Sequence, residues 1–158
     1  VSSASNTVTD VIDGVTLNLL SATSSAITID VKTDTDTIVA DVQAFVDKYN
    51  AYATLFKDLT KYDATTGTAG ALQGDSTARS VMSQIRSELG KSVTGLSGSY
   101  TSLADVGISI DKSGVMTFTH STFKTAFAAA PTGVTGVFAS TTVSGTAVEG
   151  VAEKLETP

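Results

Sequence analysis

The sequence predicts an α+β fold: a short β segment followed by a helical leg that carries a β-hairpin. Three observations predict it. Apolar and polar residues alternate near the N-terminus, apolar residues recur every three or four positions from Ile38 to Leu59, and alternation returns on both sides of Asp111-Lys112-Ser113-Gly114. The expected division places strands in residues 1–33 and the helical leg with its hairpin in residues 34–158.

In the first segment Val15, Leu17 and Leu19 alternate with Thr16 and Asn18, and Ile27, Ile29 and Val31 alternate with Thr28 and Asp30. The polar run Ser21 to Ser25 is the expected turn between two strands. Asp13-Gly14 marks a reversal after the earlier run Val8 to Ile12. Two or three strands with one apolar face are marginal alone, so their partners are expected outside the chain or on the following helices.

A long helix is predicted over about residues 36–60, with Thr33 or Asp34 placed to cap its free amides. Ile38, Val42, Phe45, Tyr49, Tyr52, Phe56 and Leu59 follow at spacings of 4, 3, 4, 3, 4 and 3, a heptad stripe. Val39, Val46 and Ala53 widen it. At 1.5 Å per residue such a helix runs about 38 Å, and burying the stripe contributes on the order of 10 to 20 kcal/mol before chain ordering is subtracted. A stripe of that length needs partners. The expected one is a second helix over about 76–89, capped by Asp75 or Ser76, carrying Val81, Met82, Ile85 and Leu89 and closed by Gly90.

Tyr62 to Gly74 and Lys91 to Tyr100 read as small-residue loops. Val106, Ile108 and Ile110 on one side and Met116 and Phe118 on the other predict the hairpin, over about 106–118. A short helix follows with Phe123 and Phe127 four apart, and Pro131 stops it. Val134, Val137 and Phe138 suggest another turn or two of helix despite Gly133 and Gly136. From Thr146 onward, Val148, Val151, Ala152 and Leu155 share one helical face and predict a further helix start.

Composition narrows the chemistry. Ten basic against sixteen acidic side chains leave a net charge of −6, which opposes a phosphate backbone as partner. The absence of Cys removes disulfides, thiolate nucleophiles and cysteine zinc sites. The 26 Thr and 19 Ser are an excess common on surface-exposed proteins. No apolar run reaches the roughly 18 residues of a transmembrane helix. The start at Val1 has neither Met nor a secretory signal pattern, so a piece of a longer protein, or one trimmed upstream, is expected.

Ser121-Thr122-Phe123-Lys124 matches S-x-x-K, in which the Lys can deprotonate a Ser one helical turn away, but S-D-N and K-T-G are missing. Gly90-Lys91-Ser92 resembles the end of a phosphate loop whose required glycine is replaced by Ile85. His120, the only histidine, is expected to serve as a polar cap between hairpin and helix. Asp34-Thr35-Asp36 lacks the remaining ligands of a calcium loop, and helix capping is the better reading. Tyr49 and Tyr52 lie on the heptad stripe, where packing is the default. No catalytic, cofactor or metal residues are assigned. The residues assigned to helix packing or an interface are Ile38, Val42, Phe45, Tyr49, Tyr52, Phe56 and Leu59, set against Val81, Ile85 and Leu89. Contact with other subunits is the expected output, although the periodicity also allows packing within the chain.

Four blocks carry a family resemblance. They are Asn6 to Leu19, NTVTDVIDGVTLNL; Asp34 to Asn50, DTDTIVADVQAFVDKYN; Gly74 to Ser80, GDSTARS, continued by Ser83-Gln84-Ile85-Arg86; and Tyr100 to Ser109, YTSLADVGIS, followed by Asp111-Lys112-Ser113-Gly114. In this order they resemble the C-terminal half of the bacterial flagellar filament cap family, flagellar hook-associated protein 2. The resemblance implies a non-enzymatic protein at the distal tip of the flagellum that promotes flagellin assembly beneath it. It implies a homo-oligomer of about five or six subunits, with flagellin and the hook–filament junction proteins as partners. It further implies extracellular location, type III export without a cleaved signal peptide, and residues 1–33 as strands closing a head domain whose remainder is absent. Alternative readings are a fragment of flagellin or of a junction protein, and an adhesin for mucin or host surfaces. The third alternative is an unrecognised hydrolase. Residues after 118 depart from the family pattern, with Thr119-His120-Ser121-Thr122 where an acidic helix start is usual.

Overall fold

The N-terminal alternation forms an antiparallel ribbon in which β1 (Thr7–Ile12) pairs with β2 (Val15–Asn18). Thr7 faces Asn18, Val8 faces Leu17 and Ile12 faces Val15, with a register irregularity between Val8 and Ile12. Thr7 and Asn18 also join through their side-chain oxygens at 3.1 Å. This computed structural model describes residues 3–12, 15–29 and 33–156, so the Asp13-Gly14 reversal lies outside the described residues. The chain divides into two units, 1–33 and 34–158.

The second expected strand is corrected. Ala26 to Ile29 form no strand, and Ile27 and Ile29 are 70% and 52% exposed; Asp30 and Val31 lie outside the described residues. Alternation makes a strand only where a neighbouring strand satisfies its backbone and a surface covers its apolar side. No described residue of this unit is buried.

In the second unit, α1 (Thr35–Thr60) starts one residue before the expected 36, with Asp34, one of the two expected caps, at its N-cap. Asp34 Oδ1 accepts from the amides of Asp36 and Thr37, both at 3.1 Å, and Oδ2 from the Thr37 hydroxyl at 2.7 Å. These bonds hold the Asp34 carboxyl below the usual aspartate range, the Thr37 hydroxyl most strongly. Along α1 the buried line is Val39, Val42, Val46 and Tyr49. It is itself heptad-spaced, shifted to one side of the expected stripe.

The segment after α1 is not a plain loop, which corrects the reading of residues 62–74. A small hairpin forms between β3 (Tyr62–Asp63) and β4 (Thr68–Ala69). Asp63 Oδ1 accepts from the Thr65 amide at 2.8 Å, and Gly67 N donates to Asp63 O at 2.8 Å. Asp75 then caps α2 (Ser76–Gly90) by accepting from Ala78 N at 3.0 Å. Gly90 is the last helical residue rather than a left-handed cap, because Lys91 leaves the helix in an extended conformation.

The main hairpin pairs β5 (Ile108–Ile110) with β6 (Met116–Phe118), with Ile108 facing Phe118, Ser109 facing Thr117 and Ile110 facing Met116. Val106 sits just before it in a 3-10 turn, Ala104–Val106. Next come α3 (His120–Ala129) and α4 (Pro131–Phe138), separated by a single residue. Pro131 ends one helix and opens the next, since its missing N–H costs nothing at the first helical position. Gly136 is tolerated inside α4 for a packing reason: a Cβ there would meet Leu96 Cδ2 at 2.9 Å and Thr141 Cγ2 at 3.0 Å.

The tail reading is corrected in part. Thr146 is not a helix start but opens β8 (Thr146–Val148), which pairs with β7 (Thr141–Val143) around Ser144-Gly145. Both turn residues have positive φ, 50° and 82°, the mirror-image turn that suits a two-residue hairpin. The helix begins later, as α5 (Val151–Glu156). Phe123, Ile108, Met116, Val106, Val134 and Val137 form the fully buried centre. Phe118 and Phe138 pack edge-on against Phe123, with ring centroids 5.5 and 6.2 Å away.

Candidate interaction surface

The α1 face that meets α3 is built from polar residues around the apolar line. His120 is the first residue of α3, and its Nε2 lies 2.8 Å from Gln43 Oε1. Gln43 in turn donates through Nε2 to Asp47 Oδ1 at 2.8 Å. With its amide nitrogen committed to Asp47, Gln43 presents oxygen to the ring, so His120 donates from Nε2. This corrects the capping role: His120 bridges two helices, and Thr119 stands at the N-cap.

One turn along, Lys124 Nζ contacts Asp36 Oδ1 at 2.5 Å. Its ammonium is therefore paired with α1. The Ser121 carbonyl accepts from the Thr125 hydroxyl at 2.9 Å. Lys124 and Asp36 side chains are 48% and 83% exposed, so the pair contributes at most about 1 kcal/mol. Lys91, of the phosphate-loop resemblance, pairs with Glu88 at 2.5 Å.

The hairpin is anchored to both long helices. Asn50 of α1 donates Nδ2 to Met116 O and accepts Met116 N on Oδ1, each at 2.8 Å. At the turn, Asp111 Oδ1 accepts from Ser113 N, Ser113 Oγ and Val115 N at 2.8, 2.6 and 2.9 Å. These bonds, that of the Ser113 hydroxyl first, lower the Asp111 carboxyl below its ordinary value. Gly114 closes the turn at φ +86°, and the Arg86 guanidinium from α2 occupies the place of its missing side chain. Before the hairpin, Asp105 Oδ2 gathers the amides and hydroxyls of Thr101 and Ser102 at 2.8 to 3.3 Å, and the Thr101 amide leads in lowering its pKa.

The assigned packing residues fall into three groups. Val42, Tyr49 and Leu89 are buried; Ile38, Phe45, Phe56, Ile85 and Leu59 are half-buried; Tyr52 and Val81 are 40% and 43% exposed. The expected direct seam between the two long helices is not the main contact of either. α1 rests chiefly on β6 and α3, and α2 on α5 and β5. The hairpin touches both long helices, β6 against α1 and β5 against α2, and each long helix also packs on a short one. Near the N-terminal half of α1, Ile38, Phe45, Phe127, Phe138 and Leu155 border an apolar groove of about 470 Å³. Asn50, Gln43 and Arg86 carry no functional signal in the sequence, where polar residues beside an apolar stripe read as ordinary solvent-facing positions.

Among the described residues no three His, Asp or Glu side chains converge as a metal site, and no helix is long and apolar enough to cross a membrane. Helices braced by small two-stranded hairpins, with half-exposed apolar residues along their faces, define the class by fold: a mixed α+β domain. The family described as Flagellar hook-associated protein 2 C-terminus matches residues 1–157. The chain is 35% identical over 113 residues to flagellar hook-associated protein 2 of Salmonella typhimurium, covering 68% of this chain and 24% of that protein. It is 34% identical over 133 residues to the protein of that name from Campylobacter jejuni, covering 77% and 20%. Among solved structures it resembles the flagellar cap protein FliD D1-D2-D3 domains from Escherichia coli, with TM-score 0.69 and 32% identity, over 84% of this chain and 35% of that one. The chain belongs to the flagellar hook-associated protein 2 family, and spans about a quarter or less of the length of these two relatives.

Proposed function

We propose that the chain is the C-terminal region of a filament cap, a non-catalytic scaffold at the distal tip of the bacterial flagellum beneath which flagellin assembles. The family match over residues 1–157 carries this reading. In it, residues 1–33 belong to a head domain and residues 34–158 form the leg. The cap is a homo-oligomer of about five or six copies. Flagellin and the hook–filament junction proteins are its partners, and type III export delivers it outside the cell. Tyr52 and Val81, the members of the heptad and second-helix sets with the most exposed apolar surface, are assigned to contacts with neighbouring subunits. Half-exposed aromatic and branched side chains on a regular helix suit such contacts because burying them repays the ordering of a subunit.

Deleting the coding gene in the source bacterium tests the reading. Absent or stunted filaments with monomeric flagellin in the medium are expected. Full-length filaments in the deletion strain overturn it.

A further inference from the structure

We draw no further inference here: the strongest candidate, the apolar groove bordered by Ile38 and Phe45 of α1, Phe127 of α3, Phe138 of α4 and Leu155 of α5, carries nothing because nothing in the structure shows what covers it.

Discussion

Asn50 pairs with the backbone of Met116 as a neighbouring strand would, giving one donor and one acceptor at 2.8 Å each across 66 residues of sequence. A helix side chain thereby completes the open edge of a two-stranded hairpin. Removing it leaves a part-buried amide and carbonyl unpaired, and each unsatisfied group costs about 1 to 3 kcal/mol. Asn50→Ala is expected to lower the unfolding free energy by about 2 kcal/mol or more in denaturant titration. Asn50→Asp keeps the acceptor but sets a carboxylate oxygen against Met116 O, so its loss is expected to exceed that of Ala at pH 7. A stability unchanged by either substitution contradicts the anchoring role.

Acid should weaken the second unit through its capping and turn carboxylates. Asp34, Asp105 and Asp111 are all lowered by hydrogen bonds made in the folded chain. A depressed folded pKa means that the unfolded chain binds protons first as pH falls. The stability contribution is thus complete above the ordinary aspartate pKa of about 4 and is lost below it. Unfolding free energy is expected to be flat from about pH 7 to 5 and to fall steeply below about pH 4, with Asp105→Asn flattening part of that fall. An Asp105→Asn curve parallel to that of the parent would refute the assignment.

Gly114 and Gly67 separate backbone strain from steric conflict. Both have positive φ, +86° and +69°, but a Cβ at Gly67 meets open space whereas one at Gly114 falls on the Arg86 guanidinium. Gly67→Ala is expected to cost about 1 kcal/mol from conformation alone. Gly114→Ala should cost about the same, because the guanidinium is the far end of a flexible side chain and can move aside. A markedly larger cost at Gly114, measured by thermal melting and relieved by Arg86→Ala, would show that Arg86 is held in place.

Tyr52 and Phe45 distinguish assembly from folding. Tyr52 is 40% exposed, so Tyr52→Asp should lower stability by only about 1 kcal/mol while shortening filaments and releasing flagellin in the source bacterium. Phe45 is half-buried against the core and borders the apolar groove, and Phe45→Asp is expected to destabilise the fold outright. Normal filaments with Tyr52→Asp would remove that residue from the subunit contact.

The elements most legible in the sequence are those written in local chemistry. Asp34 and Asp75 start helices because a carboxylate two or three residues ahead can reach free amides. Asp111 to Gly114 folds a turn on its own bonds. The hairpin at Ser144-Gly145 is written just as locally, but the apolar residues after it fit a helical spacing equally well. Ile27 and Ile29 carried the opposite ambiguity, a strand pattern with no strand beside it.

Local patterning thus settled where α1 and α2 begin, that the Asp111 segment reverses the chain, and that an apolar stripe runs the length of α1. Tertiary structure decided which line of that stripe is buried, that β6 and α3 rather than α2 support it, and that Lys124 pairs with Asp36. The physical reason is reach. Caps and turns are closed by atoms a few residues apart, whereas burial and pairing depend on surfaces that meet only after the chain has folded back, as Asn50 meets Met116.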